Sequence, residues 1–164
     1  MNNKTKGWTL VELMIVITMF GILSLSVSNL LVQIWRFYRI TSAQKELQEE
    51  ARTIMEIITR DLRNAFNSTI VISRYDNNQP HYSKVDFTTI DGKRVSYYQI
   101  NRFLYQKVDD NTKVLSKSIR YFAVIFPRSD EMDIVSIAVT LERDLYDLRR
   151  KALHMASEKV MVMN

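Results

Sequence analysis

The chain has no cysteine, two prolines and three glycines in 164 residues. Without cysteine it can form no disulfide, no thiolate zinc site and no cysteine nucleophile. Its compartment stays open on this count, because an oxidising space permits disulfides without demanding them. Three scattered glycines leave no phosphate-cradling loop, and no serine sits in a nucleophile elbow. The two histidines, His81 and His154, lie far apart in unlike segments, which disfavours a paired metal site. Concentrated charge is scarce too: the formal net charge is +5, but bases and acids intermix along the chain, so the basic stripe that nucleic acid requires is missing. The prolines fall at Pro80 and Pro127, so Trp8 to Phe66 is free of the residue that most strongly breaks helices.

That proline-free stretch opens with Lys6-Gly7-Trp8-Thr9-Leu10-Val11-Glu12, followed by a mostly apolar run from Leu13 to Val32. The run is long enough to cross a bilayer as a helix. A secretory signal places its small-residue cleavage site after a shorter apolar core, whereas here the small residue, Gly7, comes first. A cut at Gly7 leaves the apolar segment on the mature chain. Glu12 is the anomaly, since a carboxylate in such a segment costs ~2.5–3.5 kcal/mol at mid-bilayer on insertion scales and less near the interface.

Beyond the apolar run, Ile40, Ala43, Leu47, Ala51, Ile54, Ile58, Leu62 and Ala65 recur every three or four residues, one stripe of an amphipathic helix. Lys45, Gln48, Glu49, Arg52, Glu56, Arg60 and Arg63 take the solvated face, with Arg60 and Asp61 read as an exposed pair or, alternatively, as a contact with a partner subunit. The spacing drifts from a 3.5-residue repeat, which favours packing on a sheet of the same chain over a coiled coil. The expectation is one helix of ~55–60 residues from Trp8 to Phe66.

After Phe66 the apolar period shortens to two. Thr69–Tyr75 reads as a strand, and Lys84–Ile90 and Lys93–Ile100 flank Asp91-Gly92, a dipeptide suited to a two-residue type I′ turn. Arg102–Val108 and Thr112–Lys117 flank Asp109-Asp110-Asn111, and Ile119–Phe126 and Met132–Leu141 add two strands parted by Pro127-Arg128-Ser129-Asp130. Arg143–Ala156 fits a helix or the outer part of a long hairpin, with Lys159–Met163 as a short closing strand. The fold class is α+β: a long N-terminal helix, membrane-spanning and then amphipathic, packed on a mainly antiparallel β-sheet head. Among the head's aromatic residues, Phe87, Tyr97, Tyr98, Phe103, Tyr105, Tyr121, Phe122 and Phe126 fall in strands, so one alternate set faces the helix. The acid-rich stretches Asp76-Asn77-Asn78, Asp109-Asp110-Asn111 and Asp130-Glu131-Met132-Asp133 lack the calcium-loop pattern and read as turns.

The junction Gly7-Trp8-Thr9-Leu10-Val11-Glu12 before an apolar helix resembles the prepilin signal of the type IV pilin and pseudopilin superfamily, with Trp8 where phenylalanine is commonest. The resemblance implies the pilin fold, with a leader at residues 1–7, a membrane and filament-core segment at 8–35, an amphipathic helix at 36–66 and a periplasmic β-rich head at 67–164. It implies cleavage between Gly7 and Trp8 by a membrane prepilin peptidase, and methylation of the new Trp8 amine. It also implies subunit assembly in which Glu12 neutralises a neighbour's amine. Loss of Lys4 and Lys6 takes the formal charge from +5 to +3. The basic residues Arg36 and Arg39 nearly balance those of the leader, so orientation follows from the resemblance: leader in the cytoplasm, head in the periplasm, single pass through the inner membrane.

Ala51-Arg52-Thr53-Ile54-Met55, Arg60-Asp61-Leu62-Arg63-Asn64-Ala65, the Tyr97-Tyr98 strand and Arg102-Phe103-Leu104-Tyr105 are similar to the J-type minor pseudopilins of type II secretion. That implies a structural subunit near the tip of a pseudopilus, and the lack of any catalytic or ligand motif in the sequence leads to the expectation of no enzyme, no cofactor and no metal. Its partners are other minor and major pseudopilins or pilins, the prepilin peptidase, the inner-membrane assembly platform and the membrane, and not nucleic acid. The alternatives are a minor pilin of a type IV pilus and, from another class, a signal-anchored periplasmic binding domain.

Overall fold

The computed structural model describes residues 9–79, 82–128, 133–145 and 150–162. It divides into a unit ending at Thr41 and a unit running from Ser42 to the C-terminus. One helix, α1 (Leu10–Arg63), supplies the described part of the first unit apart from Thr9 and the opening of the second. A single 3₁₀ turn (Asn67–Thr69) follows it. The strands are β1 (Val71–Ser73), β2 (Lys84–Thr88), β3 (Arg94–Ile100), β4 (Phe103–Val108), β5 (Asn111–Ser116), β6 (Ile119–Ile125), β7 (Ile134–Leu145) and β8 (Arg150–Met161). The fold is α+β, as the change of period requires, and all named strand pairs are antiparallel.

In the first unit the apolar side chains point outward on every side of α1: Leu10, Ile17, Phe20, Leu23, Leu31 and Trp35 are all exposed. Three hydroxyls on this stretch bond locally. Thr18, Ser26 and Ser28 each donate a hydroxyl to the carbonyl four residues back, at 2.8, 3.0 and 2.9 Å, which lets them sit among apolar neighbours at little cost.

In the second unit the stripe is the core. Ala43, Leu47, Ala51, Ile54, Ile58, Leu62 and Ala65 are buried, joined by Met55 and Thr59, while Ile40, the stripe's first residue, belongs to the first unit. They meet Val85, Tyr97 and Leu104 from one sheet and Phe122, Val135, Ile137, Val139 and Leu141 from the other. The helix ends at Arg63, earlier than Phe66, because neighbouring backbone takes over: Ile90 N–H donates to Asn64 O at 2.8 Å and Phe66 N–H to Thr88 O at 2.9 Å. The turn between β2 and β3 thus caps the helix without a glycine.

Asp61 is not half of an exposed pair. Tyr97, fully buried, donates its hydroxyl to Asp61 Oδ2 at 2.6 Å, and Gln106 Nε2 donates to both, at 3.0 and 2.8 Å. Burial first, and then the Asp61 carboxylate, push the Tyr97 phenol well above its ordinary value and keep it a donor. Arg60 stays outside, its guanidinium 3.5 Å from Asp61.

The head contains two sheets rather than one: β1-β2-β3-β4-β5 and β6-β7-β8. A side chain marks the seam. Buried Gln99 on β3 donates through Nε2 to Arg120 O at 3.1 Å and accepts from Phe122 N–H at 2.8 Å, taking the place that a neighbouring strand's backbone would hold. Arg102, in the β3–β4 turn, crosses the same seam to Glu142 O at 2.9 Å and Asp144 Oδ2 at 3.0 Å. Buried Glu142 accepts in turn from Arg120 at 2.9 Å and Lys151 at 2.5 Å.

Local turns differ from expectation in one place. Gly92 has φ 77 but Asp91 is not in the positive-φ region; Gly92 N–H bonds Thr89 O at 2.8 Å and Thr89 N–H bonds Lys93 O at 2.9 Å. This is a three-residue loop with the glycine in the left-handed position, not a type I′ turn. Asn101 and Asp109 hold φ 53 and 51 at the next two hairpins, where their short polar side chains tolerate it. The tail is the hairpin, β7 pairing β8 over twelve positions from Ile134↔Met161 to Leu145↔Arg150. Cross-strand pairing overrides the helix-forming composition of that segment.

Truncating the stripe at Leu62→Ala should cost about 2–5 kcal/mol by opening a cavity against both sheets. Tyr97→Phe, which keeps the ring, should cost nearer 1–2 kcal/mol. Denaturant melts of the detergent-solubilised chain check the ranking, and equal losses would count against a shared core. The Lys151 ammonium holds the Glu142 carboxyl below its usual range, and the Arg102 guanidinium does the same for Asp144. Depressed carboxylates contribute stability above their unfolded values, about 4.3 and 3.9, and lose it as pH falls through the lower folded ones. Melting temperature should therefore fall with acid below about pH 4. Glu142→Gln should flatten that slope, and an unchanged slope would refute the ion-pair account.

Candidate assembly site

The helix start builds its own carboxylate site. Glu12 Oε2 accepts from Thr9 N–H at 2.9 Å and from Thr9 Oγ1 at 3.0 Å, while Glu12 N–H donates to Thr9 Oγ1 at 3.3 Å. Leu13 N–H closes the first turn on Thr9 O at 3.2 Å. This is a capping box, in which the residue before the helix and the one three positions on satisfy each other's otherwise unpaired groups. A negative group in the first turn also faces the positive end of the helix dipole. The site is the end of an apolar rod whose sole charge in the first turn is Glu12.

Glu12 is thus the one sequence-proposed site residue whose surroundings are described; Gly7 and Trp8 lie outside the described residues. Thr9 was missed as a partner of Glu12, although the Thr-x-x-Glu pattern ahead of an apolar run signals a capping box. Oε1 of Glu12 makes no hydrogen bond among the described residues, so one oxygen is committed locally and the other faces outward.

A groove of about 810 Å³ lies between α1 and β8, lined by Arg52, Met55, Thr59 and Arg63 from the helix and by His154 and Glu158 from the strand. Thr59 donates to Glu158 Oε2 at 3.3 Å, and Arg63 lies 3.9 Å from Glu158 Oε1. Among the described residues no three His, Asp or Glu side chains converge as metal ligands. The Asp76 stretch is an ordinary turn, with Asn78 N–H on Asp76 Oδ1 at 3.1 Å and Gln79 N–H on Asp76 O at 3.0 Å. Asp109 Oδ1 accepts from Arg94 N–H at 3.0 Å, and Asp133 accepts from Asn67. His81, Asp130 and Glu131 lie outside the described residues.

Alternation sorts the aromatic residues as sheet geometry demands. Phe87, Tyr97 and Phe122 are buried, whereas Tyr75, Tyr98 and Tyr105 stack on the opposite face of the larger sheet, their centroids 5.1 and 5.3 Å apart.

Residues 2–28 match the family model for the prokaryotic N-terminal methylation motif. No curated protein and no solved structure matches the chain. The match covers the junction and most of the apolar run, and it supports a type IV pilin-like protein anchored by this helix.

Proposed function

We propose that the chain is a minor pseudopilin: a structural subunit, at or near the tip, of the short periplasmic filament that drives export through a type II secretion system. The observation that carries the reading is the methylation-motif match at residues 2–28 leading into α1, whose second half is the core stripe of a β-rich head. In this reading residues 1–7 are a cytoplasmic leader and a prepilin peptidase cuts between Gly7 and Trp8. The Trp8 amine is methylated, and residues 8–35 anchor the chain in the inner membrane. The head hangs in the periplasm and meets other pseudopilins. The absence of proline from α1 sets the chain apart from many major pilins. A minor pilin of a type IV pilus shares every part of this chemistry, and the secretion reading rests on the likeness of Ala51–Ala65 and the Tyr97 and Phe103 strands to J-type pseudopilins.

The capping box supports an assembly role for Glu12. An ionised carboxylate has about four acceptor sites on two oxygens. Thr9 occupies Oε2, which aims the group and leaves Oε1 for an ammonium from a neighbouring subunit. Two charges that are each costly in an apolar filament core become one pair.

Intact mass before and after co-expression with a prepilin peptidase tests processing. Loss of residues 1–7 with gain of one methyl is expected, and an unprocessed chain refutes the reading. Glu12→Gln tests assembly cleanly, because Gln also completes a capping box and so preserves the helix start while removing the charge. Insertion and cleavage should persist, and incorporation into filaments should drop by at least about tenfold, the loss of an ion pair out of water. Normal incorporation of the variant would sink the pairing role.

A further inference from the structure

The sequence Trp35-Arg36-Phe37-Tyr38-Arg39 makes an almost complete turn and a half of α1 in which every side chain is exposed: Trp35 is 66% exposed, Phe37 72% and Tyr38 66%. Three aromatic and two cationic side chains so placed are poor choices for water, for hydrocarbon or for a protein core. Tryptophan and tyrosine with an apolar body and one polar atom suit the layer where acyl chain meets headgroup, and arginines beside them suit its phosphates. The element changes character on either side. Before Trp35 the helix carries no charge back to Glu12, and after Arg39 the polar face of the stripe begins.

Helical geometry gives the distance to the other end. Leu13 to Ile34 is about 22 residues, or about 33 Å at 1.5 Å per residue. A hydrocarbon layer is about 30 Å thick, and a modest tilt takes up the excess. Glu12 stands roughly 35 Å before Trp35, past the far edge of that layer.

We propose that Trp35, Arg36, Phe37, Tyr38 and Arg39 form the outer interfacial anchor of the membrane span, seated among phospholipid headgroups, and that this register sets Glu12 and Thr9 in the opposite headgroup layer. The proposal rests on the membrane-anchored reading above and adds its register. In the membrane-resident subunit Glu12 is then solvated at the interface and held by Thr9. It enters an apolar setting only on leaving for a filament, where the insertion cost falls due and a counter-charge offsets it.

The chain contains two tryptophans, Trp8 and Trp35. The full-length Trp8→Phe variant, reconstituted in phosphatidylethanolamine–phosphatidylglycerol vesicles, therefore reports on Trp35 alone. Lipids brominated near the headgroup end of the acyl chain should quench its fluorescence several-fold better than lipids brominated near the tail. A second variant, Leu31→Trp with Trp8→Phe and Trp35→Phe, moves the probe one turn inward and should reverse that preference. Stronger quenching of Trp35 by tail-brominated lipid, quenching by aqueous iodide alone, or no difference between the two probes would overturn the register while leaving the anchor intact. Failure of the chain to enter vesicles would overturn the anchor itself, and the register with it.

Discussion

A polypeptide backbone in hydrocarbon has no water to satisfy its amides, and a helix is the one element a single strand of chain can form that bonds all of them internally. Everything else in this protein depends on α1 meeting that demand in its first half and a different one in its second. Up to Trp35 its surface is mostly apolar on every side, and the hydroxyls of Thr18, Ser26 and Ser28 fold back on the helix's own carbonyls. From Ala43 the same backbone keeps one apolar face and turns the other to solvent, so the second half is held by packing rather than by its surroundings. The absence of proline across both halves allows one regime to pass into the other without a break.

The head is organised to receive that stripe. Two sheets contribute to one core, and side chains and backbone both bridge the seam between them: Gln99 replaces a strand's backbone, Val124 N–H bonds Tyr82 O and Ile119 N–H bonds Arg102 O, both at 3.0 Å, while Glu142 gathers Arg120 and Lys151 behind it. A buried amide with its partners in place fixes the relative setting of β3 and β6 in a way apolar contacts alone would not. Asp61, Tyr97 and Gln106 perform the same service between helix and larger sheet. Truncating any of these groups would leave its partners buried and unpaired, so each contributes to specificity beyond the strength of its own bonds.

Features written in local sequence were legible. The stripe from Ala43 to Ala65 follows from spacing alone, and the hairpins at Asp91-Gly92 and Asp109-Asp110 from residues that tolerate tight turns. What escaped depends on groups distant in the chain. The split into two sheets hangs on Gln99 reaching Phe122, and Asp61 looked like surface until Tyr97 covered it. The tail was ambiguous because Arg150–Met161 carries residues fit for a helix, and only β7 decides that it extends. Thr9 belongs with the local features: the Thr-x-x-Glu pattern ahead of an apolar run is a capping signal, and the two side chains satisfy each other directly.

That neighbour changes how the carboxylate should be understood. A lone acid at the end of an apolar helix is a liability that selection removes unless it acts, and the proposed pairing with a neighbouring subunit requires that it wait unpaired. Thr9 removes the contradiction. It occupies Oε2 of Glu12 with bonds that the helix start needs anyway, so the chain itself orients the group, and in the proposed assembly role the other oxygen would receive the cation. Preorganisation of this kind spares association the entropy of fixing a long side chain at the moment of contact. A residue that first appears as the price of a future interaction is, in the isolated chain, already part of a satisfied turn.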